Sequence, residues 1–151
     1  MAALRFRQYL YAILFAYRTE ALMSQIKIYG IRDHLDPIKH SLSDAIHSCI
    51  VDSLQFPQDK RAHRFFPMAP EDFYFPASAS PRYTIIEISM FEGRTIQTRK
   101  NLIRMLFDRV GKLCDRKPNE IEITITETPR HNWGFRGLPG DELGLPYKIE
   151  V

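Results

Sequence analysis

The sequence predicts an α+β fold in which two tandem β-α-β units form one four-stranded sheet with two helices on one face. Three observations carry this expectation. Ile26-Lys27-Ile28-Tyr29 and, in the second half of the chain, Ile86-Glu87-Ile88-Ser89 alternate apolar and polar residues, the period of a half-buried strand. Each is followed by apolar residues at steps of three and four, which mark one face of a helix. Each stripe then gives way to a proline turn, Pro57-Gln58-Asp59 or Pro118-Asn119-Glu120, and the turns recur at nearly the same interval as the strands. A strand joined through a helix to a parallel strand crosses over right-handedly, so two such units side by side make a single sheet. The 151 residues, 44% of them hydrophobic, fit one soluble domain with a real core.

In chain order, residues 1–22 have no counterpart in either unit. Their apolar run 9–17, between Arg5, Arg7 and Arg18, is too short to span a bilayer as a helix, and the residues after it make a poor signal-peptide cleavage site. They read as an amino-terminal extension, either loosely attached or lying upstream of a true start at Met23 and not translated. The body, 23–151, reads as a single domain with units at about 24–68 and 83–137 and a carboxyl-terminal docking tail at 138–151. In the first unit Asp36-Pro37 reads as N-cap and first helical residue, and Ile38, Leu42, Ala45, Ile46, Cys49, Ile50 and Leu54 form the stripe. In the second, Thr95 reads as the cap and Ile96, Leu102, Ile103, Leu106, Val110 and Leu113 as the stripe. The last strand, 120–127, puts Ile121, Ile123 and Ile125 on one face. The opposite sheet face, with Lys27, Glu87, Glu122 and Thr124, is polar and suits solvent or the interior of an oligomer. Residues 65–81 hold four prolines and no period, so they read as a linker whose aromatics lie on the surface or on a neighbouring chain. The turn-rich stretch 137–143 is expected to dock on a neighbouring subunit.

The net charge is +3, of which residues 1–22 carry +2, leaving a nearly neutral body. That argues against the basic field that nucleic-acid binding requires. Cys49 and Cys114 lie in the helical stretches without a CxxC or a Cys/His cluster, and read as core thiols in a reducing, cytoplasmic compartment. His34, His40, His47, His63 and His131 lack metal-ligand spacing on a common element, so neither a metal nor another cofactor is expected. No Gly-rich phosphate loop, G-x-S-x-G elbow or H-E-x-x-H stretch is present, which argues against nucleotide hydrolysis and serine nucleophiles.

Ile88-Ser89-Met90-Phe91-Glu92-Gly93-Arg94-Thr95, then the second helix and its proline turn, Ile123-Thr124-Ile125-Thr126-Glu127 and Asn132-Trp133-Gly134 carry a resemblance. In these residues the chain resembles the 4-oxalocrotonate tautomerase-like proteins of the tautomerase superfamily. The likeness covers 84–137 well and 24–68 more loosely, so the body is similar in layout to fused two-unit members such as malonate semialdehyde decarboxylase and the haloacrylic acid dehalogenases. The resemblance implies a β-α-β-β-α-β fold of the MIF type, a homotrimer with active sites near subunit boundaries, and a small carboxylate-bearing keto or enol compound as substrate.

The family's general base is an amino-terminal proline exposed by removal of the initiator methionine. A chain-terminal amine starts near pKa 8 and is lowered by an apolar pocket or a nearby cation. Ser24 stands at that position here. The resemblance therefore implies a weakened primary amine where the chain begins at Ser24, and an ordinary amide where residues precede it. Arg94 matches the arginine that binds the substrate carboxylate, a role suited to its planar fork. Arg61 aligns with the second substrate-binding arginine, with Glu122 as its counterpart in the second unit. Trp133 stands at the pocket-lining aromatic, and His34 falls at the first unit's equivalent of Arg94, which leaves at most one working site per chain. Plainer roles stay open for each: Arg94 as a turn arginine paired with Glu92, Arg61 as part of the solvated charged run 59–64, Trp133 as a plug at the sheet's end. Keto-enol isomerisation, decarboxylation or dehalogenation on the same scaffold, and anion binding without chemistry are all compatible with these residues.

Overall fold

The computed structural model describes residues 24–144 and 148–151; the extension at 1–22 and Met23 lie outside the described residues. β1 (Ser24–Ile31) buries alternate positions, Ser24, Ile26, Ile28 and Gly30, as its period requires. A short α1 (Arg32–Leu35) and a 3-10 turn (Asp36–Ile38) lead into α2 (Lys39–Leu54). The expected cap differs. Helical backbone already begins at Arg32, so Asp36 lies inside the helical run, where its carboxylate takes Lys39 Nζ at 2.5 Å and leaves α2 without a side-chain cap. The stripe on α2 is buried from Leu42 to Leu54, and His47 joins it.

β2 (His63–Met68) corrects the linker reading, because Phe65–Met68 are strand and pair in parallel with β1. Pro67 spoils the alternation in the sequence but is tolerated here, since the sheet order β2-β1-β3-β4 makes β2 an edge strand. The linker aromatics also pack at home: Phe73 is buried with Ile31 and Tyr83, and Phe75 and Ile85 pack against them, while Tyr74 is 91% exposed.

β3 (Thr84–Phe91) leads through the Thr95 cap, whose Oγ1 accepts from Thr98 N at 3.1 Å, into α3 (Ile96–Cys114). Leu102, Leu106 and Val110 are buried as the stripe predicts, whereas Ile96 and Leu113, at the two helix ends, stay exposed. β4 (Ile121–Thr128) and a small hairpin, β5 (Gly134–Phe135) with β6 (Leu138–Pro139), complete the chain's regular elements among the described residues.

The register repeats the offset between the two units. β1 and β3 run antiparallel with Ile26 opposite Ile88 and Ile28 opposite Ile86; β2 adds to β1 with His63 beside Ile26, and β4 to β3 with Ile123 beside Ile86. Both long helices end on a left-handed residue, Gln55 (φ 51) and Asp115 (φ 50), at equivalent places in the two units. The isoleucines of the central strands and the stripes of α2 and α3 form one core. On the other face Tyr29 OH donates to Glu87 at 3.1 Å and Tyr83 OH to Glu122 at 2.7 Å, so that burial and the Glu122 carboxylate push the Tyr83 phenol up to about 12. Because β1 is antiparallel to β3, the start of β1 lies at the sheet end where β3 and β4 finish.

Candidate active site

That sheet end gathers the residues singled out by sequence. Ser24 is 5% exposed and pairs with Met90, which pairs in turn with Glu127. On the other side of β1, Ile26 N donates to Ala62 O at 2.9 Å, and extending the register back along the chain sets Arg61 beside Ser24. Arg61, Ser24, Met90 and Glu127 thus form a row across the sheet. The proposed equivalence of Arg61 and Glu122 needs correcting. The two proline turns are spaced one position further apart than the strands, so the first turn is the longer by one and Ala62 occupies the place of Glu122.

Arg94 follows β3 after Gly93, whose φ of +131° favours glycine and whose absent Cβ leaves room for Ile149: a Cβ there would lie 2.9 Å from Ile149 Cγ2. Arg94 is 5% exposed and donates from Nη1 to Phe91 O at 3.0 Å. Ile149 is buried in the main core, and Val151 O accepts from Thr95 N at 3.1 Å and from Thr98 Oγ1 at 2.8 Å. Residues 148–151 therefore close over the Arg94 turn of their own chain. Ile149→Ala should lower unfolding stability by about 2–4 kcal/mol, read from the urea midpoint, because it removes a core side chain and opens a cavity beside Gly93.

Trp133 lies on the far side of Phe91. Its Nε1 donates to Thr128 Oγ1 at 2.5 Å, its ring meets Phe91 edge-on at 5.3 Å and stacks on Phe135 at 5.6 Å. Arg130 sits 5.8 Å above the Phe91 ring and donates to Gly140 O and Leu143 O, which ties down the hairpin. Residues 131–139 line an open cleft of about 380 Å³ with Trp133 in its wall. Phe91 therefore links Arg94, through its carbonyl, to Trp133, through its ring.

Arg61 lies on the β1–β2 half of the sheet end, apart from the Arg94–Trp133 pair on the β3–β4 half. Its Nη1 meets Asp44 Oδ1 at 2.7 Å and Ser43 Oγ at 3.2 Å, and the first of these bonds holds the Asp44 carboxyl below its ordinary range. Ser43 Oγ also lies 2.9 Å from His63 Nδ1. Burial, with the charges of Arg61 and His47 beside it, lowers His63 to about 4 from its ordinary 6.5. The fold thus keeps His63 neutral while the unfolded chain takes up a proton near pH 6.5. Stability should be full above that pH and fall by roughly 3 kcal/mol as pH drops from about 6.5 to 4. Urea melts across that range check this, and His63→Asn should flatten the profile.

Sequence reasoning missed Glu127 and Arg99. Arg99 Nη1 meets Glu127 Oε2 at 2.6 Å, while Glu127 Oε1 is buried with no hydrogen-bond partner among the described residues. The signal was available: the period that faces Ile121, Ile123 and Ile125 inward brings a carboxylate to the same face. Cys49 and Cys114 are free and buried, and burial raises the Cys49 thiol to about 11. Among the described residues no group of three or more His, Cys, Asp or Glu is arranged to hold a metal, and no helix is long and apolar enough to cross a membrane.

The family profile of tautomerase enzymes matches residues 60–136, from the turn before β2 through the hairpin after Trp133. The chain belongs to this tautomerase family. A 2-hydroxymuconate tautomerase of Pseudomonas putida is 31% identical over 58 residues, 38% of this chain and 92% of the relative. That of Pseudomonas sp. strain CF600 is 27% identical over 59 residues, 39% of this chain and 94% of the relative. Both alignments span about one repeat, so this tautomerase-family chain is two such lengths in tandem. Among solved structures, FG41 malonate semialdehyde decarboxylase inhibited by 3-bromopropiolate is 25% identical with a TM-score of 0.66, covering 74% of this chain and 88% of that one. A fused 4-OT solved as an asymmetric trimer superposes with a TM-score of 0.69 at 19% identity, covering 78% and 96%. These neighbours share the α+β fold with tandem β-α-β units.

Proposed function

We propose that this tautomerase-family protein is an isomerase that moves a proton within a small carboxylate-bearing keto or enol compound. The observation that carries the reading is the Glu92-Gly93-Arg94-Thr95 turn, set at the sheet end where β1 begins with Ser24. Arg94 holds the substrate carboxylate through its planar fork, Arg61 meets a second anionic or carbonyl oxygen, and Trp133 with Phe91 and Phe135 forms the dry wall. In a chain beginning at Ser24 the terminal amine takes the proton from the carbon next to the carbonyl, and the proton passes to the carbonyl oxygen to give the enol. An apolar surrounding or a nearby cation would favour the neutral amine in such a chain. A chain that retains residues before Ser24 has an amide there and no base. Because Arg94 is covered in the isolated chain, ligand entry requires residues 148–151 to lift from the Gly93 turn. The functional unit is proposed to be a homotrimer with the polar sheet face turned inward, working in the cytoplasm, where two buried free thiols are at home.

Ser24 itself favours a second reading. Without the rigid secondary amine, the scaffold suits a protein that binds a small anion without transforming it. Phenylpyruvate and 2-hydroxymuconate tautomerisation, measured on protein beginning at residue 24 and on its Arg94→Ala form, separates these readings. Activity that depends on Arg94 supports the isomerase; carboxylate binding without turnover supports the anion-binding protein.

A further inference from the structure

We infer that Ser43 and His63 are positioning residues that hold the Arg61 guanidinium at the sheet end beside Ser24 through a hydrogen-bond relay; this rests on the substrate-binding role proposed for Arg61. An arginine in a turn, 39% exposed, otherwise samples many rotamers, and fixing it costs side-chain entropy. Its ion pair with Asp44, itself 53% exposed, is too weakly held to do this alone. Ser43 supplies the direction. Its oxygen accepts from Arg61 Nη1, so its own proton must go elsewhere, and His63 Nδ1 stands 2.9 Å away to take it. That donation requires a neutral imidazole with its proton on Nε2. His63 is built to stay so: it lies in β2 beside Ile26, its ring meets His47 edge-on at 6.2 Å, and His47 is anchored on Gln58 O at 2.8 Å. With His63 protonated on Nε2, the relay runs from Arg61 through Ser43 to His63 Nδ1. Both contacts use Nη1, and Arg61 makes no hydrogen bond through Nη2 or Nε among the described residues, which leaves those donors for a ligand. The two arginines differ accordingly: Arg94 is buried against its own backbone, whereas Arg61 is held open.

The test is a titration of the full chain with fumarate, a small dicarboxylate, followed by the fluorescence of Trp133. Arg61→Ala should weaken binding about tenfold, and Ser43→Ala and His63→Leu about three- to tenfold. Ser43→Thr, which keeps the hydroxyl, should restore it, and Ser43→Ala should add nothing once Arg61 is alanine. Melting curves on each variant separate this coupling from general loss of structure. Ser43→Ala and His63→Leu leaving affinity unchanged while Arg61→Ala weakens it, or losses that add in the double variant, overturn the positioning role and leave the Arg61 assignment standing. Arg61→Ala binding fumarate as well as the unaltered chain overturns both.

Discussion

Protein beginning at residue 24 and carrying Ser24→Pro should tautomerise phenylpyruvate at least about 100-fold faster than the same protein with Ser24. A positioned general base is worth about 10²- to 10⁴-fold, and its efficiency depends on the neutral fraction and on fixed geometry. Serine offers a primary amine on a rotatable chain end, while proline offers a ring nitrogen whose lone pair is aimed by the fixed φ of its own residue. The position tolerates the change, since residue 24 is the first of β1 and a proline there removes no interior ladder bond. Comparing kcat/KM for the two proteins, after mass spectrometry has verified the amino terminus, decides the matter. A Ser24→Pro protein as inactive as its parent would remove the isomerase reading and leave anion binding or decarboxylation on the same scaffold.

Arg94→Ala should weaken the binding of pyruvate or fumarate by about 10- to 100-fold and lower kcat/KM by at least as much. Charge-assisted, two-point contacts to a carboxylate contribute about 1.5–3 kcal/mol, and each 1.4 kcal/mol is about tenfold. Arg94→Lys should recover only part of this, because an ammonium keeps the charge but loses the fork. The fold should survive the change better than the ligand does. Arg94 bonds to Phe91 O at the last residue of β3, where the pairing with β4 ends at Thr128, so its loss touches the end of the ladder and not its middle. Calorimetric titration together with a thermal melt distinguishes the two effects, and unchanged ligand affinity in a folded Arg94→Ala protein would end Arg94's assignment as the carboxylate site.

Much of the fold was legible in the residues alone. Ile26/Ile28 and Ile86/Ile88 declare two strands of one face by their period, and Thr95 declares a cap by standing just before an apolar stripe. Elsewhere a local signal misled. Asp36 looks like a cap because proline follows it, but the helical run had begun a turn earlier at Arg32. Phe65 to Met68 look irregular because Pro67 interrupts the alternation, yet an edge strand has room for a residue without an N–H. At the candidate site the residue types of Arg94, Arg61 and Trp133 were visible from their motifs, while Glu127 went unassigned although its phase on β4 put it inside.

Periodicity, caps and turns are properties of neighbours in the chain, so the sequence alone determined that there are two matching units, where three of the four sheet strands and the two long helices lie, and that an arginine follows the Glu-Gly turn. Tertiary structure decided what those residues touch. Only the fold brings Ile149 onto Gly93 and closes the turn that carries Arg94, and only its strand register sets Ala62 in the place of Glu122 and Arg61 against Ser43 and Asp44. The reason is that burial and hydrogen bonding at the site are settled between groups far apart in the chain, Arg61 with Asp44 and Gly93 with Ile149, and no local pattern records which distant partner will fill a given space.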